Sequence, residues 1–312
     1  MNNTIRDNLY IRYLKLHFII CFPEKVNVYR HKPSALRGGL GNILVEKYCL
    51  RDHQCKNCDF KEECLAQKIL YGRYKIKPPS VTEGESIGYV IECEDYRETI
   101  PARGIVHFQM LLFGNTINYW RMIIESFSDL GDRGFCYRGV KYHLLEVTNT
   151  TGESIYKNGV YYPRAAVVHT VKEYVEYRLQ KPKDKRAIFY TNTNIMYRGE
   201  MIMEMLGKPL MAAISRRIFF LNCFEGIETK PVLLDIPQII DQDMKFGENR
   251  RYSTRTETAM FLKGIRGKVD FDEISDDTYA MMLAGELVHI GKDTSFGSGR
   301  YTMVCRQKKL CK

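Results

Sequence analysis

An alternation of apolar runs and turn residues that reads β-α-β-β-α-β before residue 180, and again after it, predicts an α+β chain of two tandem ferredoxin-like (RRM-like) domains. Two further observations agree. The chain has 312 residues, enough for about two domains. Hydrophobic residues make up 45% and charged residues 27%, an ordinary globular balance that excludes wholesale disorder.

The elements follow in order. Ile11 to Phe22 is β-rich and aromatic and reads as a strand. Pro33-Ser34 starts a helix over Ala35 to Cys49, whose Leu36, Leu40, Ile43, Leu44 and Tyr48 share helical spacing. Ile87 to Cys93 and Ile105 to Phe113 are two strands, with Pro101 and Gly104 turning the chain between them. Thr116 to Leu130 is an amphipathic helix expected to stop at Gly131, and Tyr142 to Val147 closes the set. The polar, Pro-broken Lys181-Pro182-Lys183-Asp184-Lys185 reads as the linker. Beyond it, Ala187 to Met196 reads as a strand and Leu210 to Phe224 as a helix behind Pro209. Val232 to Ile236 and Arg251 to Val269 are β-type, the latter long enough for a hairpin arm. Asp276 to Glu286 is a helix with two acidic residues at its start. Val288 to Ile290 and Tyr301 to Cys305 are expected as a split last strand around a C-terminal glycine-rich loop. The expected domains are therefore 1–180, with a cysteine-cluster insertion at 49–64, and 181–312.

Lys and Arg outnumber Asp and Glu by 47 to 37, a net charge of +10 that puts polyanions first among partner classes. No window approaches the ~18 consecutive apolar residues of a membrane span, so no membrane partner is expected. The first seven residues lack the basic and apolar regions of a secretory leader, which makes the cytoplasm the expected compartment.

Ten cysteines are too few for a disulfide scaffold. Cys21, Cys93, Cys136, Cys223, Cys305 and Cys311 are scattered, the first four in apolar runs. Cys49, Cys55, Cys58 and Cys64 are spaced by five, two and five residues, which suits one tetrahedral thiolate site. A structural Zn2+ is the preferred occupant and an iron–sulfur cluster the alternative. Four reduced thiols near a turn is the plain reading.

The glycine-rich loop runs from Gly291 to Tyr301. Gly291, Gly297 and Gly299 allow close backbone approach, Lys292 and Arg300 supply charge, and Thr294 and Ser295 can donate to phosphate oxygens. It matches neither a Walker loop nor a dinucleotide fingerprint. A long hairpin loop without a ligand is the plain reading.

With its flank from Gly285, this loop resembles the C-terminal signature of the CRISPR-associated endoribonucleases that cut precursor CRISPR RNA, the sixth numbered Cas family of the repeat-associated mysterious protein (RAMP) superfamily. Arg251-Tyr252-Ser253-Thr254-Arg255 with Gly264 to Val269 is similar to a strand of that family. Phe189 to Thr193 stands where many members carry a turn, with Asn192 in place of its proline. Leu36-Arg37-Gly38-Gly39-Leu40-Gly41 resembles the first-helix motif.

The resemblance implies two ferredoxin-like domains and metal-independent cleavage of CRISPR repeat RNA to mature crRNA. The ribose 2′-OH attacks the adjacent phosphate, the 5′-oxygen leaves, and a 2′,3′-cyclic phosphate remains. A base, an acid and cations are needed; no cofactor is. The family draws its catalytic His or Tyr from the first loop and helix, where this chain offers Tyr29, His31, Lys47, Tyr48 and His53. His31 is the preferred base. His53 competes both as a base and as a metal ligand. Tyr29 and Lys47 are candidates for acid or electrostatic roles. His289 abuts the loop and is expected either to face RNA or to be structural. His17, His107, His143 and His169 read as core or surface residues.

Phosphate contacts are expected from Arg37, Arg216, Arg217, Arg250, Arg251, Arg255, Lys263, Arg266, Lys268, Lys292 and Arg300, and from the basic-aromatic stretch Lys68 to Lys77. A non-catalytic crRNA-binding subunit working with other Cas effector subunits is the alternative function. A metal–sulfur protein with incidental RNA binding is a third.

Overall fold

A computed structural model describes residues 1, 3–51, 58–79, 86–135, 139–230, 232–253 and 258–304, without the side chains of 251–253 and 258–259. His53, Cys55, Cys136, Arg255, Cys305 and Cys311 lie outside the described residues, as does the side chain of Arg251.

The elements of the first half are α1 (Asn3–Asp7), β1 (Arg12–Phe22), β2 (Val26–Asn27), α2 (Lys32–Tyr48), α3 (Leu65–Leu70), β3 (Tyr89–Glu92), β4 (Thr99–Ile100), β5 (Gly104–Phe113), α4 (Trp120–Arg133), β6 (His143–Thr148), β7 (Ser154–Lys157), β8 (Val160–Tyr161), β9 (His169–Thr170) and α5 (Val171–Leu179). Those of the second are β10 (Arg186–Thr193), β11 (Met196–Tyr197), β12 (Glu200–Met201), α6 (Gly207–Glu225), β13 (Ile239–Ser253), β14 (Thr258–Phe271), α7 (Asp276–Val288) and β15 (Tyr301–Val304).

The first sheet has the order β3-β5-β1-β6-β7-β8, and the second β13-β14-β10-β15. Within β3-β5-β1-β6 and within the whole second sheet, the chain order of the strands is second, third, first, fourth. Neighbours are antiparallel throughout. This is the ferredoxin-like topology, used twice.

Alternation explains β1, which buries Leu14, Leu16, Phe18, Ile20 and Phe22 and turns Lys15, His17, Ile19 and Cys21 outward. Its inner face packs on α2 and α4 through Leu36, Leu40, Phe127 and Leu130. The second core lies under α6 and α7 and also takes in Leu9, Ile11, Val90, Leu111 and Val175, so the two halves share one apolar mass. Among the described residues no helix is long and apolar enough to cross a membrane.

Several expected boundaries move. The second helix begins as a 3-10 turn over Gly114–Tyr119 and continues through Gly131 to Arg133. Gly131 is a packing glycine: a Cβ there would lie 2.3 Å from the Tyr142 carbonyl oxygen. Val232 to Ile236 is irregular, not a strand. The β-type run 251–269 is parts of two strands, because β13 starts already at Ile239. Val288 to Ile290 ends a helix, so the last strand is single. Helix α5 was not foreseen, although Thr170 and Glu173 form a capping box.

Candidate nucleic-acid interface

A cavity of about 610 Å3 lies between the two halves. One wall carries His31 and Tyr96, and the other carries Tyr190, Lys245, Asn249 and Arg266. His31 occupies the N-cap position of α2 without capping it. The turn is held from below by Lys32, which is buried. Its ammonium donates to the carbonyls of Asp95 at 2.6 Å and Arg97 at 2.7 Å.

His31 Nε2 lies 3.0 Å from the Phe296 carbonyl oxygen of the glycine-rich loop. A carbonyl only accepts, so Nε2 carries the proton and Nδ1 keeps its lone pair. Burial pulls the His31 pKa down to about 4. The Phe296 carbonyl opposes this in part, and the Lys32 charge adds to it. The ring is therefore neutral at pH 7 and has an acceptor nitrogen.

The glycine-rich loop itself is corrected. Ser295, Gly297, Ser298 and Gly299 are buried, and Lys292 is the exposed cation. A Cβ on Gly299 would meet the Ile290 carbonyl oxygen at 1.8 Å, and one on Gly297 the Ile91 carbonyl oxygen at 2.6 Å. Both glycines have φ near +75° to +80° (+74° and +79°). The close backbone approach that the glycines allow is to other protein backbone, not to phosphate. What the loop offers the cavity is the Phe296 carbonyl that orients His31.

His289 takes the structural of its two expected readings. It is fully buried, with Nδ1 3.0 Å from the Ser298 carbonyl oxygen and Nε2 2.8 Å from Glu92 Oε1. Each ring nitrogen faces an acceptor, so the ring is occupied in joining α7 to β3. Glu92 also faces Lys15 at 3.3 Å and Arg300 at 3.6 Å. Arg300 is shared between Glu92 and Glu94 and lies over the Tyr190 ring, 5.3 Å from its centroid. Its charge belongs to this inter-sheet staple. Arg37 is also drawn inward, 3.3 Å from Ser86 Oγ and 5.0 Å from the Phe296 ring centroid.

Lys47 is not brought near His31. They stand sixteen positions apart along the helix, about 24 Å at the α-helical rise. Lys47 pairs instead with Asp129 at 2.7 Å and Glu125 at 3.0 Å on α4, beside Tyr48. Tyr29 is exposed two residues before His31. His17 and His107 touch on the outer face of the first sheet, ring nitrogens 3.2 Å apart.

Lys263, Arg266 and Lys268 are exposed along β14. Arg251 pairs with Met260 in the β13–β14 hairpin. In the stretch Lys68 to Lys77, Tyr74 is absorbed by packing on Phe220 and Phe224, and Arg73 pairs with Glu62. Sequence reasoning missed Tyr96, Tyr190, Lys245 and Asn249. The Asp243-x-Lys245 alternation was a usable strand signal for one of them.

Of the cysteine cluster, Cys64 is buried at the start of α3 and Cys49 Sγ lies 3.3 Å from the Arg51 carbonyl oxygen. Among the described residues no three His, Cys, Asp or Glu side chains converge to hold a metal ion. The described thiols do not form a metal centre by themselves.

Residues 11–169, half the chain, match the family model AF_1859_N, described as an N-terminal domain. The chain belongs to that family. It is 22% identical over 273 residues to an uncharacterized protein of Archaeoglobus fulgidus, covering 85% of this chain and 89% of that one. Among solved structures it is similar to a partial Cas6-RT-Cas1–Cas2 complex, with a TM-score of 0.60, 13% identity and 96% of this chain covered. It spans 48% of that protein's length. It is also similar to a Cas6 product complex, with a TM-score of 0.53, 14% identity, and 93% and 99% of the two chains covered. At these identities the likeness is one of fold, and this family member has the Cas6-like fold.

Proposed function

We propose that this chain binds CRISPR repeat RNA in the His31 cavity and cuts it without metal, by attack of a ribose 2′-OH on the adjacent phosphorus. The observation that carries the reading is His31 itself. It is a neutral imidazole with its tautomer set by Phe296, at the edge of a cavity whose other wall supplies Lys245, Arg266 and the Tyr190 ring. Nδ1 takes the 2′-OH proton, the P–O5′ bond breaks, and the 5′ fragment keeps a 2′,3′-cyclic phosphate. Lys245 and Arg266 stabilise the charge gathering on phosphorus-bound oxygens. Tyr29, in the segment that leads into α2, is the assigned donor to the leaving oxygen. Tyr190 offers a face for an unpaired base. The Cas6-like fold supports the reading, as do the Cas6 and Cas1–Cas2 assemblies that share it, and other Cas proteins are the expected partners.

The test is incubation of labelled repeat RNA with the protein in EDTA. Cleavage is expected for the wild type and not for His31→Ala, with binding kept in both. Binding without cutting by the wild type would replace this reading with that of a crRNA-binding subunit. No binding at modest ionic strength would overturn both.

A further inference from the structure

A second cavity, of about 220 Å3, is lined in part by Gly291 and Lys292 of the glycine-rich loop and shares no lining residue with the His31 cavity. Its lining comes from α6, the segment after β10, and Gly291-Lys292. The volume is below the ~300–1,000 Å3 of a drug-sized site, so it has room for one ring system. Tyr197, Pro209 and Phe220 line it with flat or rigid apolar surface. Asn194 also lines it, and its Oδ1 is buried without a hydrogen-bond partner among the described residues. A buried amide oxygen without a partner is costly, and a ligand N–H would satisfy it. Two exposed cations also line the cavity: Lys292, whose backbone N–H is anchored 3.0 Å from the Asn194 carbonyl oxygen, and Arg216, over the Phe220 ring.

An apolar slot, a buried unpartnered acceptor in its wall and two cations at its edge together describe the reverse of a single nucleotide. The geometry points to a nucleotide-binding site in this cavity, selective for a purine with an exocyclic amino group. The ring fills the slot, the amino group donates to Asn194 Oδ1, and the phosphate meets Lys292 and Arg216. Adenine fits this description and hypoxanthine does not, because its 6-oxygen would face the amide oxygen. The nucleotide is either free or one residue of a bound RNA strand. Only the second source rests on the function proposed above.

The test uses the full-length protein, with AMP and IMP titrated by calorimetry and labelled repeat RNA by filter binding. The half-buried Ala213 lines the cavity, so Ala213→Trp fills it, and Lys292→Glu reverses a charge on the surface without touching the core. AMP is expected to bind about tenfold tighter than IMP, the worth of one buried hydrogen bond. Both variants are expected to lose at least tenfold in AMP affinity while melting like the wild type. If RNA affinity falls with AMP affinity, or falls alone, the nucleotide belongs to the strand. If RNA affinity is unchanged while AMP affinity falls, the ligand is a free nucleotide. Neither ligand responding to either variant overturns the site, and RNA binding by the wild type would still stand. A wild type that binds AMP but no RNA keeps this site and sinks the proposed function instead.

Discussion

Replacing Glu92 with Gln removes one charge from the centre of the inter-sheet staple. The carboxylate accepts from His289 at 2.8 Å and faces Lys15 at 3.3 Å and Arg300 at 3.6 Å. Glutamine keeps the shape but presents an NH2 to groups that themselves donate. Removing one partner of a buried pair costs about 3–5 kcal/mol. Water reaches Lys15 and Arg300, which are 26% and 21% exposed, so the lower end, about 3 kcal/mol, is expected. At ~2–4 °C per kcal/mol for a chain of this order of size, the melting temperature should fall by roughly 6–12 °C at pH 7.5. Burial pushes the Glu92 pKa up, but Lys15, the His289 hydrogen bond and Arg300 outweigh it and hold the carboxyl well below its ordinary 4.5. A depressed carboxyl stabilises the fold above its unfolded pKa, and loses that contribution as pH falls through the folded one. The gap between wild type and Glu92→Gln should therefore hold from pH 7.5 to about 5 and narrow only below about 4.5. Circular-dichroism melts across that range provide the assay. A variant melting within about 1 °C of the wild type at pH 7.5 would refute the staple.

Four shorter expectations accompany it. With His31 as base and its pKa lowered to about 4, kcat/KM for RNA cleavage should stay level as pH falls through 6.5 and drop only near 4; a limb at 6.5 points to another base. Gly299→Ala forces a side chain into the Ile290 carbonyl at φ +74° and should cost at least ~3 kcal/mol, read as lost soluble yield or a collapsed melt. Lys47→Ala breaks only surface pairs and should cost under ~1 kcal/mol with cleavage unchanged, whereas a lost rate would restore it to the active site. Arg266→Ala should weaken RNA binding and lower the salt slope by ~0.7–0.9, one phosphate's worth, and an unchanged slope would remove Arg266 from the interface.

The local pattern determined most of the segments that became strands and helices, though not α5 or the irregular run 232–236. Alternation set the two faces of β1, Pro33 and the Leu36–Leu44 spacing set α2, and two rounds of β-α-β-β-α-β set the topology. These are short-range signals, carried by neighbours in the chain. It also placed His31 at the start of the first helix. What the residues at the glycine-rich loop are for was decided only in three dimensions. Gly297 and Gly299 have the composition of a phosphate cradle, but their contacts are the carbonyls of Ile91 and Ile290. His289 and Arg300 look like RNA ligands until Glu92, about two hundred residues earlier, occupies them. Lys47 shares a helix with the His31 turn, yet the length of that helix carries it away to Asp129. A glycine or a cation records in sequence that something approaches closely or carries negative charge. Whether that something is a ligand or another part of the same chain depends on contacts between residues far apart in sequence, which no local window contains.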